Sequence, residues 1–170
     1  MGLFLSQIQK ISKRQTLGKE ERLKSRKIIE LLFKEGKSVA VHPVRITYKI
    51  VFTDPGNFAD SAVPDVLMSL QAAFSASSRN FKKAVDRNRI KRLLRESYRR
   101  QKGGFKTQLS AKFISVSETT TGRPANPVAT ENKLPGLAMF IIYTGKELPA
   151  YDFVDDKMKQ ALQKLVDQIR

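Results

Sequence analysis

The segment Ala84–Gln101 limits what this chain can fold into more than any other, because its pattern fits a helix with two chemically opposite sides. At about 100° per residue, apolar residues collect on one side and cationic residues on the other. Such a helix must pack its apolar side on a core and turn its cationic side to solvent. We expect it to end at Gly103 and Gly104. The apolar side comprises Ile90, Leu93, Leu94, Ser97 and Tyr98, and the cationic side comprises Asn88, Lys91, Arg92, Arg95 and Arg99.

The flanking segments predict a mixed set of helices and strands. Ser25 is placed to cap a short amphipathic helix, and Gly36 is expected to end that helix in the left-handed conformation. Alternation of side chains from Val44 to Phe52 predicts a half-buried strand. We expect further strands at Val66–Phe74, Ala111–Val116 and Leu137–Thr144, the last of them central in its sheet, and a closing helix from Val154 to Ile169.

The order of these elements predicts an α/β sandwich, in which helices cover one face of a sheet and the other face stays open. An open, basic face would suit an extended strand of nucleic acid. The chain has the length of one core, so we expect a single domain at 17–170 behind a flexible basic tail at 1–16. Residues 117–135 are rich in Thr, Pro, Asn and Gly and lack an apolar pattern, which predicts a flexible insertion in that domain.

Positive charge is abundant and concentrated. The chain carries a formal net charge of +16, and residues 79–102 hold 11 basic and 2 acidic side chains. A field of this sign attracts polyanions, so nucleic acid is the leading partner, while an anionic membrane surface and a ribosomal or histone-like structural role are the alternatives. The chain has no Cys and no run of roughly 20 apolar residues that would cross a membrane. We therefore expect a cytoplasmic protein.

Arginine dominates the segment 79–99, and its planar fork makes bidentate, permanently charged hydrogen bonds to phosphate. Glu96 is the only acidic residue after Asp86 in this segment, so few internal partners are available for ion pairs along the helix. The alternative is an ordinary solvated face, which would balance its charges more evenly. The pattern favours a phosphate-binding face.

The thirteen residues AVDRNRIKRLLRE, from Ala84 to Glu96, closely resemble the signature helix of the bacterial ribonuclease P protein family. The hallmark of that helix is Arg-Asn-Arg followed by Lys-Arg. A second match lies upstream. An Arg-Leu pair at 22–23 is followed by Ile29, Phe33 and Gly36, and the family's first helix has an Arg-Leu pair, two spaced apolar positions and a Gly in the same order. The resemblance covers residues 17–170 apart from the insertion.

The resemblance implies an α-β-β-β-α-β-α order, the ribonuclease P protein or ribosomal protein S5 domain 2-like fold, with an unusual left-handed βαβ crossover. It implies that the signature helix binds the catalytic RNA, and that a cleft between the first helix and the sheet binds the single-stranded 5′ leader of precursor tRNA. The expected contacts to the catalytic RNA are Arg79, Lys83, Arg87, Asn88, Arg89, Lys91, Arg92, Arg95 and Arg99. The expected contacts to the leader are Phe33, Ile29, Arg45, Thr47 and Tyr48.

Two features depart from the common pattern of the family. Many members have Lys-Lys and then Gly before the signature helix, whereas this chain has Arg79-Asn80 and Lys82. The insertion at 117–135 is additional. Arg79 keeps the charge, but the missing glycine predicts a different backbone path ahead of the helix.

The resemblance implies that the RNA subunit and its Mg²⁺ ions hydrolyse the phosphodiester at the mature 5′ end of tRNA, without an obligatory protein partner. The residues agree with that division of labour, because His42 is the sole His and no Cys nucleophile or carboxylate cluster accompanies it. Three alternatives stay open: a ribosomal protein or general RNA chaperone, a self-sufficient nuclease using His42, and a DNA-binding helix-turn-helix protein. The last is disfavoured because the basic helix follows a strand.

Overall fold

The computed structural model describes residues 17–53, 69–120 and 134–169. The tail predicted at 1–16, the first three residues of the strand predicted at Val66–Phe74 and the centre of the predicted insertion lie outside these ranges. The elements are α1 (Arg26–Glu35), β1 (Lys37–Val41), β2 (Val44–Thr53), β3 (Ser69–Ala76), α2 (Ala84–Thr120), β4 (Leu134–Tyr143) and α3 (Tyr151–Gln168).

Four strands form one sheet in the order β1-β2-β4-β3. β2 is antiparallel to both of its neighbours, whereas β3 and β4 are parallel and joined by α2. The predicted mixed α/β class is confirmed, and β4 is central as expected. The element order is the one that the resemblance implied, and the left hand of its βαβ crossover stays a prediction. The residue patterns alone missed β1.

The two faces of the sheet carry different helices. Alternate residues of the strands, such as Ile46 and Met139, are buried in the main core with α2 and α3. Their neighbours Ala138 and Phe140 point to the other face, where Leu32 of α1 is fully buried against them in a smaller apolar cluster. The expectation of an open face is therefore correct only in part, because α1 packs on that face.

A short extended segment covers the outer edge of β3. The backbone N–H of Leu23 donates to the carbonyl of Ala72, and the N–H of Ala72 donates to the carbonyl of Glu21. The Glu21 carboxylate also pairs with the Lys102 ammonium of α2 at 2.8 Å. This segment thus satisfies backbone groups that an edge strand would otherwise expose.

α2 does not end at Gly103 and Gly104 but runs on to Thr120. The apolar stripe continues beyond the glycines with Phe105 and Leu109, and both are buried in the main core. Each glycine costs a helix about 1 kcal/mol, whereas burying a Phe or Leu side chain contributes about 1.5–3 kcal/mol. The free energy gained by burying Phe105 and Leu109 therefore exceeds the cost of the two glycines.

This longer helix corrects two further expectations. The strand predicted at Ala111–Val116 is wrong, because the backbone there is helical. The predicted insertion is narrower than 117–135, because residues 117–120 belong to α2 and residues 134–135 belong to β4.

Gly36 ends α1, but not in the left-handed conformation that we expected. Its φ of −74° and ψ of 147° are extended, so the chain passes directly from α1 into β1. A β-carbon at this position would collide with the Leu32 carbonyl and lie 3.1 Å from the Thr47 methyl group. Gly36 is thus required by close packing. Ser25 is at the N-cap as predicted, although its side chain makes no capping hydrogen bond.

Candidate nucleic-acid interface

The cationic residues predicted on α2 lie together along its outer side. Ile90, Leu94 and Tyr98 are almost completely buried in the main core, which fixes the rotation of the helix. The opposite side is exposed or half-buried as predicted. We call this surface, together with two cations of the loop before α2, the basic ridge. It comprises Arg79 and Lys83 of the loop and Arg87, Asn88, Arg89, Lys91, Arg92, Arg95 and Arg99 of α2.

Three arginines of the basic ridge are engaged within the protein. The Arg87 guanidinium donates to two backbone carbonyls in the loop before α2. Arg95 lies over the Phe74 ring, with its guanidinium carbon 6.0 Å from the ring centroid. Arg99 is paired with Glu96 one turn earlier, and its hydrogen bond holds the pKa of the Glu96 carboxyl below its usual value. The Glu96–Arg99 pair therefore stays ionised at neutral pH.

The other cations of the ridge are available to a ligand. Within the described part of the chain they make no hydrogen bond, ion pair or ring contact. A row of positive charges along a helix and the loop before it matches the repeating charge of a nucleic-acid backbone. These cations are Arg79, Lys83, Arg89, Lys91 and Arg92.

The loop from Ser77 to Lys83 joins the basic ridge to the end of the sheet. The Asn80 side-chain amide donates to the carbonyls of Thr144 and Gly145, at 3.0 Å each. Phe81 is buried, and its ring lies 6.0 Å from that of Tyr143. Asn80 and Phe81 thus fix the backbone at the place where the chain departs from the common Lys-Lys-Gly pattern.

A second surface lies on the other face of the sheet, beside α1. Phe33 is 55% exposed, and its ring meets Phe140 edge to face with centroids 5.0 Å apart. On this face Thr47 is paired with Phe140 and Arg45 with Ile142. We call Phe33, Phe140, Ile142 and Arg45 the aromatic platform.

Of the other three predicted leader contacts, two lie on the face of the platform and one lies on the opposite face. Ile29 of α1 is half-buried against the sheet, and Thr47 of β2 is buried on the face that α1 covers. Tyr48 is on the opposite face, 3% exposed, and its hydroxyl donates weakly to Gln168 of α3. Burial raises the pKa of the Tyr48 hydroxyl. The alternation along β2 therefore separates Tyr48 from Phe33, and Tyr48 does not belong to the platform.

Sequence reasoning missed Phe140 and Ile142. They lie in the continuous apolar run of β4, in which every residue resembles a core residue and no alternation marks the two faces. The pairing of Phe140 with Thr47 assigns it to the α1 face. Only the register between β2 and β4 could have identified it.

The described ranges carry no second candidate site of the kinds that the sequence left open. They hold no group of three His, Cys, Asp or Glu residues that could bind a metal ion. His42 is exposed in the turn between β1 and β2. Among the helices that the structure describes, none is long and apolar enough to cross a membrane.

Comparison with known proteins gives consistent matches. The family model described as Ribonuclease P matches residues 17–133. A ribonuclease P protein component of Chlorobium phaeobacteroides is 31% identical over 157 residues, covering 91% of this chain and 88% of the relative. One of Porphyromonas gingivalis is 28% identical over 153 residues, covering 90% of this chain and 88% of the relative.

A solved structure shares the fold. It is the Staphylococcus aureus RNase P protein mutant with defective mRNA degradation activity, which superposes with a TM-score of 0.52 at 13% sequence identity. The match covers 97% of this chain and 98% of that one.

Proposed function

The chain belongs to the ribonuclease P protein family, and we propose that it serves tRNA processing by binding the catalytic RNA and the leader of precursor tRNA. Membership places it in an endoribonuclease holoenzyme. RNA binding is proposed because of the basic ridge, where five cations have no partner among the described residues and three of them lie on a helix that the core holds in place.

The basic ridge is proposed to bind the catalytic RNA. Its arginines offer forked donors to phosphate oxygens, and its lysines add positive charge along the same helix. Each phosphate that is neutralised releases counterions, so binding should weaken steeply as salt rises. Because the helix is already ordered, its side chains meet RNA without the cost of folding a segment.

The aromatic platform is proposed to bind the single-stranded 5′ leader. An exposed ring such as Phe33 can stack on any base, and stacking contributes about 1–3 kcal/mol per base. Arg45 lies on the same face and can contact the adjacent phosphate. A site of this kind binds the leader of precursor tRNA. Mature tRNA has no leader and therefore makes no contact with it.

The chemical step is proposed to belong to the RNA subunit. Its Mg²⁺ ions would activate water and stabilise the leaving oxygen, while the residues of this chain bind and orient the two RNAs. The net charge of +16 supports this role, because it reduces the repulsion between two polyanions. We propose a cytoplasmic location, with no membrane and no obligatory protein partner involved.

The test is multiple-turnover cleavage of precursor tRNA at low Mg²⁺ by the cognate catalytic RNA, with and without the protein. We expect wild type to stimulate cleavage and Arg89→Ala/Arg92→Ala to lose most of that effect. Lys159→Ala/Lys164→Ala is the matched control, because it removes the same charge from exposed positions on a different helix, α3. Binding of RNA without stimulated cleavage would contradict the proposal and favour a general RNA-binding protein.

A further inference from the structure

Arg87, the first arginine of the Arg-Asn-Arg motif, faces back into the protein. Its Nη1 donates to the Phe81 carbonyl at 2.8 Å and to the Lys82 carbonyl at 2.7 Å. Hydrogen bonds from a charged donor are about twice as strong as neutral ones. The guanidinium therefore ties the first turns of α2 to the loop that precedes it.

That loop is anchored at three points. Asn80 binds the end of β4, the Phe81 ring is inserted into the core, and Arg87 holds two consecutive carbonyls. The Phe81 N–H also donates to the Ser77 carbonyl at 3.0 Å. These contacts give the Ser77–Lys83 loop one defined path although it contains no glycine.

The anchored loop exposes three cations. Arg79, Lys82 and Lys83 all face solvent, and within the described residues none of them is paired. They lie directly before α2, so Lys82 adds a third cation to the loop part of the basic ridge. Lys82 was not among the residues that the sequence predicted to bind RNA.

We infer that Arg87 is a positioning residue, which holds the Ser77–Lys83 loop so that Arg79, Lys82 and Lys83 contact phosphates of the RNA. This inference rests on the proposed function and gives the two arginines of the Arg-Asn-Arg motif different roles. Arg87 acts through the loop, whereas Arg89, two residues later, is exposed and free to contact RNA itself. Without the Arg87 clamp the three cations would have to be ordered on binding, which lowers affinity.

A double-mutant cycle tests the inference by measuring the affinity of the cognate catalytic RNA. Arg87→Ala is made in wild type and in a background that carries Arg79→Ala, Lys82→Ala and Lys83→Ala. Groups that act through one another give non-additive effects, so we expect Arg87→Ala to weaken binding on the order of fivefold in wild type and less than about twofold in that background.

Arg89→Ala is the matched control. It removes the same side chain one position beyond Asn88, and we expect it to weaken binding by the same factor in both backgrounds because it acts directly. Hydrogen exchange of the Phe81 N–H in the free protein gives a second readout, which should accelerate in Arg87→Ala and stay unchanged in Arg89→Ala. Equal melting temperatures of these two variants would separate loop positioning from a general loss of stability.

Two results would overturn the inference in different ways. If Arg87→Ala costs the same factor in both backgrounds, Arg87 contacts RNA directly and only the inference fails. If wild type neither binds the RNA nor stimulates cleavage, the proposed function fails and the inference falls with it.

Discussion

Phe33 presents more than half of a large aromatic side chain to solvent, and its position explains why that exposure is useful. The ring is supported from one side by Phe140, while its outer face remains free. A rigid aromatic ring loses little conformational entropy when a base stacks on it. This single residue therefore accounts for much of the proposed preference for a substrate with a leader.

We expect Phe33→Ala to weaken binding of precursor tRNA by about tenfold, which corresponds to the loss of one stacked base. Binding of mature tRNA should not change. Phe153→Ala is the control, because Phe153 is 46% exposed and lies on α3, on the other side of the sheet. Affinity measurements on both tRNAs with the holoenzyme check the prediction, and an equal loss for mature tRNA would contradict it.

The two ends of α2 are determined by different effects, one local in the sequence and one from distant packing. Its start and its two-sided character follow from the sequence, because the apolar and cationic stripes are both local patterns. The end of α2 does not follow from the sequence. The helix continues past the glycines because Phe105 and Leu109 are buried in a core that forms only in the folded chain. β1 is missed for a related reason: it is a short edge strand in which only Val39 is buried.

Gly103 and Gly104 allow a test of the extended helix. A β-carbon at either position would meet nothing within 4 Å, and neither glycine has a positive φ. Alanine should therefore stabilise α2, by roughly 0.5–1 kcal/mol per site. For Gly103→Ala/Gly104→Ala we expect the melting temperature to rise by about 2–8 °C.

Gly145→Ala is the matched control, because a β-carbon there would lie 2.5 Å from the Tyr143 hydroxyl oxygen. That variant should melt at a lower temperature than wild type. If alanine at 103 and 104 destabilised the protein instead, the helix would end at the glycines, as the sequence alone suggests.

The sheet separates the two proposed RNA contacts across the molecule. The basic ridge is on the α2 side and the aromatic platform is on the α1 side. The sequence shows that charge is concentrated at 79–102, and the family motif shows which helix carries it. It cannot show that Phe33 and Tyr48 lie on opposite faces, because that depends on how β2 is aligned with β4.

Because the two surfaces lie on opposite faces of the sheet, we expect substitutions on one surface to leave the salt dependence of RNA binding at the other unchanged. In a plot of log affinity for the catalytic RNA against log salt concentration, Arg89→Ala/Arg92→Ala should reduce the slope by roughly 0.9 for each lost phosphate contact. Phe33→Ala should leave that slope unchanged, because stacking releases no condensed counterions. Titrations between about 50 and 200 mM salt are sufficient to resolve the difference. A slope that falls equally in both variants would mean that one RNA segment contacts both faces, and the division of labour between ridge and platform would have to be abandoned.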